Sequence, residues 1–260
     1  MKKTLILTVL TIMAAAFITF MSCKKEDVIT NTIAGNFKKA LNDYESQGSS
    51  KNGIELAFPK NPYDAEGKMH NDLLDRFFNE IYGVVDSSLY LDAFLKIANI
   101  SSEVNADFFL DLINKVGKDF CDKGEYNPTF INNHKYISQT EKSIVNEYFI
   151  QMSKLPAIKD RIELSKIAEE FVINENGLSD KEKQRILPTF ATYRYSTYYW
   201  EPYYEGLPEM TLSGDLEKWD AIADYMIGHT ETGVGCGSDR YRYRTGFSIG
   251  AYMGFGRPHW

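Results

Sequence analysis

Apolar positions recur at steps of three or four through most of the chain, and strict alternation is confined to its end. The first helical series is Ile33, Phe37, Leu41 and Tyr44, with lysines between. Residues 47–53, Gln-Gly-Ser-Ser-Lys-Asn-Gly, then read as a loop. Asn61-Pro62-Tyr63-Asp64 is a helix start, with Asn61 as cap and proline in the first turn. The stripe that follows is Met69, Leu73, Leu74, Phe77, Phe78 and Ile81. Further helices are predicted over about 86–99, 102–120, 139–154, 157–173 and 180–200. Ser138 with Glu141, and Ser179 with Glu182, have capping-box spacing. Pro188 is expected to bend or divide the helix it falls in. A last stripe, Leu216, Trp219, Ile222, Ala223 and Met226, follows the Gly206-Leu207-Pro208 turn.

This pattern predicts a mainly α fold: a single irregular bundle of about seven or eight helices over 33–228. Residues 229–260 form a Gly/Arg/Tyr-rich appendage. Eight of the chain's 18 glycines lie between 228 and 256. Arg240, Arg242 and Arg244 alternate with Tyr241 and Tyr243, a period of two that suits a short hairpin. Gly246, Gly250 and Gly254 have small-xxx-small spacing. The readings open for this tail are packing on the bundle, contact with anionic head groups through the arginines, and association with another chain.

The start of the chain is different. Lys2 and Lys3 precede a run without charge from Leu5 to Met21, followed by Ser22-Cys23 and the charged residues 24–27. That is the three-part layout of an export signal, with a small residue at the cleavage point. An uncleaved signal anchor and simple secretion are the alternatives. Phe20-Met21-Ser22-Cys23 resembles the lipobox of a bacterial lipoprotein, and the charged residues beyond it resemble lipoproteins of the Bacteroidetes phylum. Ser22 and Cys23 fit that pattern, while Phe20 and Met21 depart from its usual leucine and small residue. The resemblance implies that residues 1–22 are a signal peptide and that Cys23 becomes an N-terminus carrying acyl chains such as palmitate. Residues 23–32 would then be a tether. The protein would be exported and lipid-anchored in the cell envelope, at the periplasmic or surface face of the outer membrane, its membrane partner held through Cys23.

Composition narrows the classes further. Of the 260 residues, 43% are hydrophobic and 25% charged, which excludes a wholly disordered or collagen-like chain. The formal charge of −7 becomes −9 once Lys2 and Lys3 leave with the signal, and this argues against a nucleic-acid partner. Aromatic content is 14% and uneven: Tyr193, Tyr195, Tyr198, Tyr199, Trp200, Tyr203 and Tyr204 fall within twelve residues. On a helix they cover most of the circumference. The alternatives are burial with bonded hydroxyls, a sugar platform, and a protein contact.

Chemistry-bearing motifs are few. None of the four histidines has a second histidine at helical spacing, so no metal site and no cofactor is expected. There is no nucleophile elbow, phosphate loop or dinucleotide fingerprint. His70 lies on the apolar stripe of its helix, as a core imidazole or as an acid–base beside Asp64 or Asp75. Cys121 and Cys236 remain after Cys23; paired in an oxidising compartment they would close a loop worth about 4–5 kcal/mol, and unpaired they would be buried thiols.

The strings Asn61-Pro62-Tyr63-Asp64, Gly67 and His70-Asn71-Asp72-Leu73-Leu74-Asp75 resemble the opening motif of uncharacterised Bacteroidetes lipoproteins, with Leu73 in place of a glycine. Residues 193–200 and 218–224 resemble later segments of the same proteins. The resemblance implies a shared helical fold and no known activity. The expectation is a lipid-anchored, non-catalytic binding or scaffolding module, the alternative a glycan-binding or glycan-processing protein. Its candidate binding residues are His70, Asn71, Tyr195, Tyr198, Tyr199, Trp200, Arg240, Arg242 and Arg244.

Overall fold

A computed structural model describes residues 29–44, 54–81, 96, 131–132, 137–155 and 157–204. These residues are 81% helical, with no strand among them. The five helices are α1 (29–44), α2 (Asp64–Ile81), α3 (Gln139–Met152), α4 (Ile158–Asn174) and α5 (Asp180–Tyr204). The stretches predicted as helices over 86–99, 102–120 and 216–226, and the tail, lie outside the described residues apart from a helical residue at 96.

The stripe predicted for α1 is the buried one: Ile33, Phe37 and Leu41 are in the core and Tyr44 packs at its edge. The helix already includes residues 29–32, so the last four positions of the expected tether are helical, and Thr30 is buried. α1 lies parallel to α3, with Thr30 bonded to Thr140 (3.0 Å), Lys38 paired with Glu147 (3.4 Å) and Asn42 bonded to Gln151 (3.2 Å). It runs antiparallel to α4: the Phe37 ring meets Phe171 edge-on at 5.2 Å, and Tyr44 donates to Asp160 near the start of α4.

Both predicted capping boxes form. Ser138 Oγ accepts from the Glu141 amide (3.1 Å) and the Glu141 carboxylate accepts from the Ser138 amide (3.2 Å). Ser179 and Glu182 repeat the arrangement at α5. The two boxes are also tied to each other. Ser138 Oγ donates to Glu182 (2.6 Å), and Arg185 grips the buried Glu141 carboxylate through two bonds of 2.8 and 2.7 Å. The starts of α3 and α5 are therefore one hydrogen-bonded unit.

Two boundaries differ from expectation. α2 begins at Asp64, because Asn61 forms a turn instead, its Oδ1 accepting from the Tyr63 amide (2.9 Å). Pro188 does not divide α5, which continues unbroken to Tyr204. The proline is buried on the core side, and next to it the Thr189 hydroxyl donates to the Arg185 carbonyl (3.0 Å). A proline costs a helix one backbone bond, and tertiary packing on both sides of α5 outweighs that loss here.

Candidate functional site

The chain folds around a charge cluster at the middle of α5. α4 turns Ile162, Ser165, Glu169 and Val172 inward at helical spacing, so Glu169 sits on an otherwise core-facing stripe and is fully buried. Arg194 of α5, also fully buried, answers it: Nε donates to one Glu169 oxygen (2.9 Å) and an Nη to the other (3.0 Å). The same Nη donates to Asp64 at the start of α2 (2.6 Å), and the other Nη donates to the Leu56 carbonyl. Asn61 completes the ring, its amide donating to Glu169 (2.6 Å) and to the Leu187 carbonyl (3.1 Å). Ser165 donates to the Phe190 carbonyl (3.2 Å) and shares a bond with the Tyr148 hydroxyl (2.8 Å).

Burial pushes the Glu169 carboxyl above its ordinary range, against the pull of Arg194 and Asn61. Burial also acts to lower Arg194, but the Glu169 and Asp64 carboxylates more than offset it and hold the guanidinium charged. Burial, reinforced by the neighbouring Tyr193, raises Tyr148 well above the usual phenol range, so it stays a neutral hydroxyl. Two carboxylates, the Leu56 carbonyl and one guanidinium that engages them through four of its five N–H groups make a clamp. It joins the 56–64 segment, α4 and α5, and the bonding leaves the guanidinium no spare donor on its Nε edge.

Sequence reasoning read Asn61 as a cap and His70 as a core imidazole or as an acid–base beside Asp64 or Asp75. Asp64 in fact accepts from Arg194, from the Phe58 amide (3.1 Å) and from Tyr195 (3.2 Å). His70 is only 1% exposed, with a ring nitrogen 3.1 Å from the Asn71 amide oxygen. Asn71 reaches across to Ser196 (3.4 Å). Asp75, the other carboxylate proposed for His70, accepts from Tyr199 (2.9 Å). Glu169 and Arg194 were missed, though a glutamate at i+4 from Ser165 and i+7 from Ile162 on an inward stripe was the available signal.

The aromatic cluster divides. Tyr193 and Trp200 are buried, Trp200 at 2% exposure with its ring edge-on to Phe78 (6.0 Å) and to Tyr199 (4.9 Å). Tyr195 is half-buried against Arg194, and burial, then Asp64, raises its hydroxyl above the phenol range. Tyr199 is half-buried, and Tyr198 stands 46% exposed. Cys23, Cys121, Cys236, Arg240, Arg242 and Arg244 lie outside the described residues.

Other chemistry is sparse among the described residues. Among the described residues, no group of three or more His, Cys, Asp or Glu side chains is arranged to hold a metal ion, and no helix is long and apolar enough to cross a membrane. A shallow depression of about 350 Å3 between α1 and α4 is lined by Ala40, Ile167, Phe171 and three polar residues of α4's end, with no nucleophile among them. No family model matches the chain, and neither a curated protein nor a solved structure matches it.

Proposed function

We propose that this protein is a lipid-anchored cell-envelope lipoprotein that acts by binding or scaffolding, without chemistry of its own. The observation that carries the reading is the order Lys2-Lys3, uncharged run, Ser22-Cys23 at the start of the chain, with residue 29, six positions after the cysteine, already within a packed helix. Two or three acyl chains on Cys23 hold such a body durably, since each buried CH₂ contributes about 0.8 kcal/mol. The likeness of the 61–75 and 193–200 strings to Bacteroidetes lipoproteins supports the same assignment. So does the use of Asp64, Glu169 and Arg194, whose polar atoms are engaged in holding the fold. In this reading the helices expected over 86–99, 102–120 and 216–226 complete a bundle of seven or eight, and the arginine tail is its appendage.

The test is metabolic labelling with an alkyne palmitate in a Gram-negative host. Wild type takes up label and fractionates with the outer membrane, and Cys23→Ala does neither. Label retained by Cys23→Ala, or unlabelled wild type, overturns the proposal.

A second reading has its own observation. Tyr198 is exposed, the next residue, Tyr199, donates to the exposed Asp75, and aromatic rings with carboxylates are the composition of a sugar site. Glycan-array binding lost in Tyr198→Ala would favour it, and a blank array would remove it.

A further inference from the structure

α1, α3 and α5 point the same way and α4 runs against them. At one pole lie the beginnings of α1, α3 and α5 together with the end of α4. Thr30 is bonded to Thr140, Ser138 to Glu182, and Lys183 to the Ile173 carbonyl (2.8 Å). Ile33 packs so tightly on Gly177 that a Cβ there would lie 2.6 Å from its Cδ1. The interlocked caps make this pole rigid. Its exposed residues are mainly polar: Asn31, Thr32, Gln139, Asn176, Asp180 and Lys181. Ile29, 44% exposed, is the large apolar exception.

We infer that this pole is the face laid against lipid head groups, and that the α2–α5 surface carrying Tyr198 is displayed away from the bilayer. The inference rests on acylation of Cys23, proposed above. Residue 29 is six steps from Cys23, a reach of at most about 20 Å even for fully extended chain. In the flexible limit the typical separation is nearer 13 Å. Residue 29, at this pole, therefore stays within about 20 Å of an acylated Cys23. From Lys181, α5 rises 17 residues to Tyr198, about 26 Å at the helical repeat, and α3 carries Lys154 about 22 Å from Gln139. A polar pole suits apposition to head groups, not insertion between acyl chains. The partner is the lipid surface itself, and the far end is left for soluble or envelope-bound ligands.

The experiment uses the full acylated protein in phosphatidylethanolamine/phosphatidylglycerol vesicles. p-Azidophenylalanine is introduced at Lys181 or at Tyr198, both exposed, and coupled to a donor dye; the acceptor is a head-group-labelled lipid. Energy transfer is expected to be several-fold stronger from 181 than from 198. In parallel, unlabelled wild type is treated with a membrane-impermeant acetylating reagent. Lys181 is expected to be protected relative to the soluble Cys23→Ala protein, and Lys154 to react equally in both. Equal transfer from the two sites, stronger transfer from 198, or protection of Lys154 in place of Lys181 overturns the orientation. Intact mass separates the two levels: acylated protein with the wrong order refutes the orientation alone, whereas unacylated protein refutes the anchoring on which it rests.

Discussion

α5 packs against α4 on one side and α2 on the other, and the two interfaces are built on different physics. Toward α4 and α3 the contact is a dry apolar core, with Tyr148 stacked on Phe190 (3.8 Å between centroids) and edge-on to Tyr193 (5.4 Å), enclosing the Glu169–Arg194 pair. Toward α2 the contact is closest at Gly67, where an added Cβ would sit 2.6 Å from the Ala191 carbonyl oxygen. It ends on hydroxyl–carboxylate and hydroxyl–amide pairs: Tyr195 with Asp64, Ser196 with Asn71, Tyr199 with Asp75. From Asp64 to Phe78 α2 advances fourteen residues while its partners on α5 advance only six, from Arg194 to Trp200, so the contacts on α5 are concentrated in a short stretch. The same helix carries the buried clamp through Arg194 and, four residues on, one exposed ring, Tyr198. Arg194 sits where the two interfaces meet and belongs to both.

The largest expected effect comes from removing that junction. Arg194→Met leaves the Glu169 carboxylate buried without its guanidinium, and unpairing a buried charge costs about 3–5 kcal/mol. Urea unfolding followed by circular dichroism reads this directly. A loss below about 1 kcal/mol would mean that the pair is neutral in the native protein and that the apolar core alone carries the α4–α5 contact. Gly67→Ala tests the opposite interface. Overpacking at a backbone oxygen costs about 1–3 kcal/mol, and hydrogen exchange should rise in α2 while α3 and α4 stay protected. Uniform loosening would instead show that the two interfaces fold as one unit.

The acid side sharpens the comparison. Burial holds Glu169 above its ordinary carboxyl value of about 4.5, so between the two values the native state keeps a proton that the unfolded chain has released. Its contribution is complete below the ordinary value and is lost as pH rises through the higher native one. Glu169→Gln keeps the size and the amide geometry but does not titrate. The stability of wild type relative to this variant should therefore fall as pH rises from the acid side toward neutrality. A difference that grows with pH would place the Glu169 value below the ordinary one, with Arg194 dominating burial.

How much of this was legible follows the same division. The inward stripe of α1 and both capping boxes are local signals, carried by spacing alone, and Ile33, Phe37, Leu41, Ser138 and Ser179 sit where spacing put them. Pro188 does not divide α5, because packing on both sides of the helix outweighs its local propensity. The clamp was hidden for another reason: Asn61 and Glu169 are 108 residues apart, and while the inward stripe of α4 marks Glu169 as core-facing, nothing local names the guanidinium that meets it. Tyr198, Tyr199 and Trp200 were read as one cluster because a run of rings does not reveal which of them a neighbouring helix will cover.

That last split yields the smallest stability effects and the clearest separation of roles. Tyr198 is exposed, so Tyr198→Ala should change unfolding free energy by no more than about 0.5 kcal/mol. Tyr199→Phe removes one partly exposed bond to Asp75 and should cost about 0.5–1.5 kcal/mol. Trp200→Ala deletes a buried ring and belongs with the core variants, at about 3–5 kcal/mol. A pull-down from envelope extracts is therefore informative with Tyr198→Ala and not with Trp200→Ala, whose losses mix recognition with unfolding. If Tyr198→Ala unfolds like wild type yet loses partners, the exposed ring of α5 is a recognition element set beside a structural helix. If it retains every partner, Tyr198 plays no part in recognition and α5 is structural along both interfaces.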